Sequence, residues 1–183
     1  MTLYKSFRAD FKNEYGNIQW KLNEWVHQDG VIIACKNGLH ASKRVIEAIQ
    51  YVNCEILAEV EVKGKSDLSE NDKECWSDMR IIKAYKWEKE DSVKLAIFAA
   101  ELVIDNYEKE YPNDDRPRKA IEAAKNWLKN PTQENQNAEA TAGAAGYAAG
   151  AAGYAARAAA NKILSQCEDY IQKEIIPNLK EIK

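Results

Sequence analysis

The chain has 183 residues, 45% of them hydrophobic and 30% charged, with a formal net charge of −3 and a pI near 5.6. That is enough apolar chain for one large domain or two small ones with their own cores. The slight acidity argues against broad nucleic-acid binding, which needs basic surface to neutralise phosphates, and falls short of a nucleic-acid mimic.

The first residues, MTLYKSFRADFKNEY, are charged throughout and hold no apolar stretch of signal-peptide length, so a cytoplasmic protein is expected. LYKSF and NIQW are weak strand candidates. VIIAC, residues 31–35, is a short β-branched run suited to an interior strand. Ser42 is placed to cap a helix running to about Tyr51, with Val45, Ile46 and Ile49 turned toward a sheet. EILAEVEVK, 55–63, puts Ile56, Ala58, Val60 and Val62 on one face and mostly charged residues on the other, which makes it the clearest strand. RIIKAYKW, 80–87, is a third candidate. Residues 1–88 therefore predict a small mixed α/β-sheet domain.

From Glu88 onward the period becomes helical. Asp91 is expected to cap a helix whose stripe is Val93, Ala96, Ile97, Ala100, Val103, Ile104, Tyr107 and Tyr111, ended by Pro112 and Asn113. Asp115 is expected to cap the next, with Pro117 in its first turn and Ala120, Ile121, Ala124, Trp127 and Leu128 buried. The short connection predicts antiparallel neighbours. A third helical region from Thr132 to Pro177 contains AGAAGYA twice in succession, at 142–148 and 149–155. On a helix Gly143, Gly146, Gly150 and Gly153 fall on one seam of little bulk, flanked by Tyr147 and Tyr154. Each glycine costs ~1 kcal/mol against alanine in a helix interior, so a closely approaching neighbour is the expected compensation. The neighbour is either this chain's own helix or another chain's; a low-complexity linker is the competing reading. The uncharged run from Thr141 to Ala156 is too short for a membrane span. The fold class expected is α+β, the sheet domain being followed by an all-α domain over 89–183 with a close-packed Ala/Gly helix.

Chemistry is sparsely signalled. Cys35, Cys54, Cys75 and Cys167 form no C-x-x-C pair and only two histidines are present, so reduced thiols and no metal or cofactor are expected. No Gly-rich phosphate loop, G-x-S-x-G elbow or H-E-x-x-H helix occurs, and no catalytic set is assigned. His40 is the one histidine at a plausible site position, either as a base or ligand holder or as a backbone-bonded residue that fixes its turn. Glu59 and Glu61 share a strand face of the kind usually solvated. Trp20, Trp25, Trp76 and Trp87 supply possible anchors for a binding surface.

Three resemblances add to this. NDDRPRKAIEAAKNWL, 113–128, followed by an alanine-rich stretch, resembles an immunity-protein family of bacterial polymorphic toxin systems in which a D-x-R-P-R-x-A-I-E-A-A segment precedes alanine-dense helices. That resemblance covers about 89–176 and rests on Asp114, Arg116, Pro117, Arg118, Ala120, Ile121, Glu122, Ala123 and Ala124; the glycine-tyrosine heptads depart from the family pattern. Lys36 to Ser42, with Gly38-Leu39-His40-Ala41 at its centre, is similar to an uncharacterised phage and mobile-element domain carrying G-[LF]-H-A between strand and helix, over about 1–88. Tyr4, Arg8, His40 and one of Glu55, Glu59 or Glu61 can also be set into a fainter likeness to ADP-ribosyltransferase-like folds. Together the first two imply a non-enzymatic protein-binding inhibitor or immunity-type protein that blocks a toxin or a bacterial defence complex, an anti-CRISPR being one example. Its partner would be a protein, and His40, Asp115, Arg116, Arg118, Tyr147 and Tyr154 are the expected contacts. The alternatives are a nucleotide-binding or ADP-ribosyltransferase-like enzyme with its site near His40, and a homodimeric structural protein.

Overall fold

A computed structural model describes residues 2–12, 18–51, 53–130 and 157–183, with backbone only at 157–160. The glycine seam at Gly143, Gly146, Gly150 and Gly153 and the paired Tyr147 and Tyr154 lie outside the described residues. The class is α+β, and the chain divides into one unit of Met1–Glu88 with Glu174–Lys183 and a second of Lys89–Lys173.

In the first unit, β1 (Leu3–Phe7) pairs antiparallel with β4 (Ile56–Asp67), and β4 with β5 (Glu74–Lys86). The other edge of β5 takes three short strands in succession: β3 (Leu39–Ala41), β2 (Val26–His27) and β6 (Lys180–Ile182). Tyr4 and Ser42 then exchange both backbone hydrogen bonds at 2.8 Å, which returns the end of β3 to β1. At this end β1, β4, β5 and β3 thus close into a ring. Its filling is Leu3, Phe7, Trp20, Leu39, Ala41, Ala58, Val60, Met79, Ile81 and neighbours, with the Trp20 ring edge-on to Phe7 at 5.4 Å. Two residues of β5 oppose one step of β4, since Glu59 faces Lys83 and Val60 faces Ile81. This bulge at Ile82 lets both Ala84 and Ile81 turn inward, which strict alternation would forbid.

Several expectations are corrected here. VIIAC is not an interior strand: Val31 and Ile33 are exposed and only Ile32 is buried. Ile33 and Asn37 instead close a tight turn. The reason lies in its flanks, because Gly30 at φ 93° and Gly38 at φ 141° reverse the chain between β2 and β3, and Asn37 Nδ2 donates to the carbonyls of Asp29 and Val31 at 2.8 and 3.0 Å. Ser42 does not cap a helix, since its backbone is committed to Tyr4. The helix, α1 (Val45–Ala48), is a single turn entered from an extended Arg44. The chain end also differs from the expected 89–183 helical domain, because β6 adds to β5 and carries Glu174–Lys183 into the sheet unit.

The second unit holds α2 (Lys89–Glu101), α3 (Ile104–Glu110), α4 (Arg116–Lys129) and α5 (Arg157–Tyr170). Ile97, Ala100, Ile104, Ile121 and Ala124 form its core, and the Phe98 and Tyr170 rings stack at 4.2 Å, joining α2 to α5. The single helix expected from Asp91 to Tyr111 is two, broken where Val103 leaves helical geometry at φ −122°. Asp91 lies inside the first turn rather than at the cap and pairs with Lys94 at 3.1 Å. Leu95, not Ala96, is buried. In α4 the expected face is met at Ala120, Ile121, Ala124 and Trp127, whereas Leu128 is half-buried.

Candidate functional site

The D-x-R-P-R string is a clasp. Asp115 is already near helical geometry, at φ −88° and ψ −1°, and makes no side-chain cap bond; a capping side chain needs an extended backbone to reach the N–H groups. It pairs with Lys119 at 2.7 Å instead. Asp114 takes the capping part, accepting from the Arg116 N–H at 3.2 Å, from Arg116 Nε at 2.8 Å and from the Tyr107 hydroxyl of α3 at 2.7 Å. The Arg116 guanidinium, then Tyr107, hold its carboxyl well below the usual carboxylate range. Arg118 forks onto Glu108 of α3 at 2.7 Å through both Nε and Nη2. The motif therefore ties α4 to α3, and its two arginines have partners within the chain. Asp114→Ala should lower the urea midpoint more than Asp115→Ala does; equal effects would contradict this assignment of the cap.

The denser group of polar side chains sits at the closed end of the sheet, around His40. Cys35, at the apex of the 33–37 turn, has φ 61°, in the left-handed region that a non-glycine residue rarely adopts. Two side chains hold the apex. His40 Nε2 accepts the Cys35 N–H at 3.0 Å, and Asp67 Oδ2 accepts the Ala34 N–H at 2.8 Å. Ile33 and Asn37 exchange backbone bonds at 2.9 Å below them. Beneath the turn, Cys75 is buried against Gly38, whose missing Cβ would stand 2.4 Å from its sulfur, and the Cys75 thiol reaches the Asn37 carbonyl at 3.6 Å.

Because Nε2 accepts a hydrogen bond, the His40 ring is neutral with its proton on Nδ1. Burial, then the ammonium groups of Lys5 and Lys73, push its pKa down, with Asp67 opposing. The backbone bonds of Ala34, then those of Ser69, hold Asp67 low. Burial, then Asp67 and Cys35, raise Cys75. On Lys73 partial burial is outweighed by Cys35 and Tyr51, and its pKa rises; its ammonium lies 4.3 Å from the Tyr51 ring centre.

Lys5 belongs to this group, although no sequence motif marks it. Its register opposite Ala58 places it between Leu3 and Phe7 on the inward face of β1. Its Nζ donates to the His40 carbonyl at 2.8 Å and lies 5.5 and 5.7 Å from the Phe7 and Trp20 ring centres. Burial pushes its pKa down to about 8. The one available sequence signal was the alternation in LYKSF, which points a lysine inward.

Tyr4 faces Glu59 across β1 and β4, but the glutamates weighed as enzyme-site partners for His40 are bound elsewhere. Glu59 accepts from Tyr85 at 2.8 Å, Glu61 from Arg80 Nε at 2.6 Å, and Glu55 from the Ala9 N–H at 3.0 Å. Among the tryptophans, Trp20 and Trp87 are core, while Trp25 is exposed with Lys63 and Arg80 over its ring at 3.9 and 4.9 Å.

Around the pinned turn lie four exposed large apolar side chains. Val31 is 74% exposed, Leu68 56%, and Ile33 and Tyr51 41% each. The Ala34–Asp67 bond links the chain neighbours of Ile33 and Leu68, and the Lys73 ammonium lies 4.3 Å from the Tyr51 ring centre. A small recess lined by Lys43, Glu47, Leu68, Asp72, Lys73 and Glu74 adjoins them. Among the described residues no group of three His, Cys, Asp or Glu side chains could hold a metal ion, and no helix is long and apolar enough to cross a membrane.

Two family models match the chain. Residues 1–92 match Domain of unknown function (DUF7666), and residues 70–165 match Family of unknown function (DUF6931). The two matches overlap at 70–92, the stretch that contains β5. No curated protein matches, and neither does any solved structure. Each model spans half of the chain or more, so the chain belongs to both families.

Proposed function

We propose that this member of both families is a non-enzymatic, protein-binding inhibitor or immunity-type protein of the cytoplasm, which acts by occupying the surface of a toxin or of a bacterial defence complex; an anti-CRISPR would belong to this class. The observation that carries the reading is the exposed set of Val31, Ile33, Leu68 and Tyr51 around a turn fixed by His40 and Asp67. Apolar and aromatic side chains at the centre of an interface supply most of its binding energy. A turn already held by side-chain bonds loses little conformational freedom on docking. His40 supports the same reading, because the ring nitrogen that a general base would use is engaged with backbone.

The test is capture from lysate of the source cells with the tagged full chain, beside a Val31→Asp, Ile33→Asp double variant. Wild type should retain a stoichiometric protein partner that the double variant holds about tenfold more weakly or worse. No stoichiometric partner on wild type, or equal retention by a folded double variant, would overturn the proposal.

A further inference from the structure

The 33–37 turn is held by two acceptors of different chemistry. The Cys35 N–H goes to an imidazole nitrogen that can take up a proton, and the Ala34 N–H goes to a carboxylate that its own hydrogen bonds keep ionised. We propose that this turn is a proton-operated latch: protonation of His40 at Nε2 removes the acceptor of the Cys35 N–H and releases the apex, while Asp67 still holds Ala34.

The geometry makes the loss of that bond obligatory. A protonated imidazole has an N–H on both nitrogens and no acceptor, so the Cys35 N–H and the new Nε2–H would point at each other across 3.0 Å. Cys35 sits at φ 61°, which for a residue with a Cβ is a stored cost held in place by its surroundings. Once the imidazole no longer accepts, that strain favours opening. The groups facing His40 from each neighbouring element act in one direction with one exception. Lys5 from β1 and Lys73 beside β5 repel an imidazolium, and Asp67 from β4 attracts it; Cys75 on β5 and the Cys35 thiol are the remaining titratable neighbours.

The sign follows from the lowered His40 pKa. The bond is present above the ordinary value of 6.5 and is lost as the pH falls through the lowered folded value. Asp67, lowered from 3.8, stays ionised throughout that window, so release stops at the apex. The other histidine behaves oppositely. His27 is raised by its bond to Asp78, with which it shares a 2.8 Å contact, so its contribution is present below 6.5 and is lost as the pH rises through its raised value.

The latch is intrinsic to the turn and does not depend on what the surrounding face binds. It is tested on the isolated full chain by following the Cys35 and Ala34 amides and the His40 ring by NMR from about pH 8 to about pH 5. Expected is a Cys35 amide whose shift moves with the His40 midpoint, below 6.5, and whose exchange protection falls about tenfold or more while Ala34 is unchanged. His40→Gln, a carboxamide that accepts without titrating in this range, should remove the transition. A Cys35 amide indifferent to the His40 titration in wild type overturns the latch, as does the same midpoint surviving in folded His40→Gln. A failure of partner capture would leave these amide measurements untouched.

Discussion

Phe7→Ala destabilises the sheet unit by about 3–5 kcal/mol, the range for removing a fully buried aromatic side chain. Phe7 is fully buried in the ring of strands, with Trp20 edge-on at 5.4 Å, Phe11 at 6.0 Å and the Lys5 ammonium 5.5 Å from its ring. Alanine removes the aromatic contacts, leaves a cavity, and strips one of the two rings beside the half-buried Lys5 ammonium. Urea unfolding followed by tryptophan fluorescence measures the loss. A cost under about 1 kcal/mol would mean that Phe7 does not fill the ring, since such a value is typical of exposed sites.

Gly38→Ala should cost about 2–4 kcal/mol, combining overpacking with a backbone conformation that alanine resists. At φ 141° the residue is outside the range L side chains adopt readily, and a Cβ would meet Cys75 Sγ at 2.4 Å, Ile32 Cγ2 at 3.1 Å and the Trp76 carbonyl at 3.3 Å. Cys75 is itself buried, so the sulfur has little room to yield. Combining Gly38→Ala with Cys75→Ala separates the two causes. The double variant should recover the clash and retain the backbone strain; if it is no more stable than Gly38→Ala, Cys75 is not the obstacle.

Much of this arrangement was readable from local pattern, and its limits have physical causes. EILAEVEVK alternates because one face of β4 is core, so Ile56, Ala58 and Val60 were found correctly. RIIKAYKW marks only the second half of β5; the polar side chains at its start, in ECWSDM, find partners within the fold: Glu74 binds Trp76 on its own strand and Lys43, and Asp78 binds His27 across from it on β2. VIIAC failed as a strand because β-branched propensity is a statement about packing, and Gly30 and Gly38 turn this segment away from any partner. The Asp115 cap failed for a related reason. Asp114 and Asp115 are equally eligible in sequence, and the Tyr107 hydroxyl on α3 selects the first.

The candidate site was less readable than the fold. His40 and its G-L-H-A setting stand out, and Cys35 lies only five residues away, but Lys5 and Asp67 are distant in sequence and carry no shared motif with it. Their own hydrophobicity points Val31 and Ile33 to the interior. Their exposure depends on a turn whose stabilising bonds reach 33 residues along the chain, from Ala34 to Asp67. Arg116 and Arg118 were expected at a partner surface, and both are tied within the chain to Asp114 and Glu108.

The most direct test of a binding face built on the 33–37 turn is amide hydrogen exchange of the full chain, free and saturated with its captured partner. Added protection is expected at 31–36 and 68–73, with the clasp between α3 and α4 unchanged. Protection confined to α4 or to β6, with 31–36 exchanging as in the free chain, would contradict it.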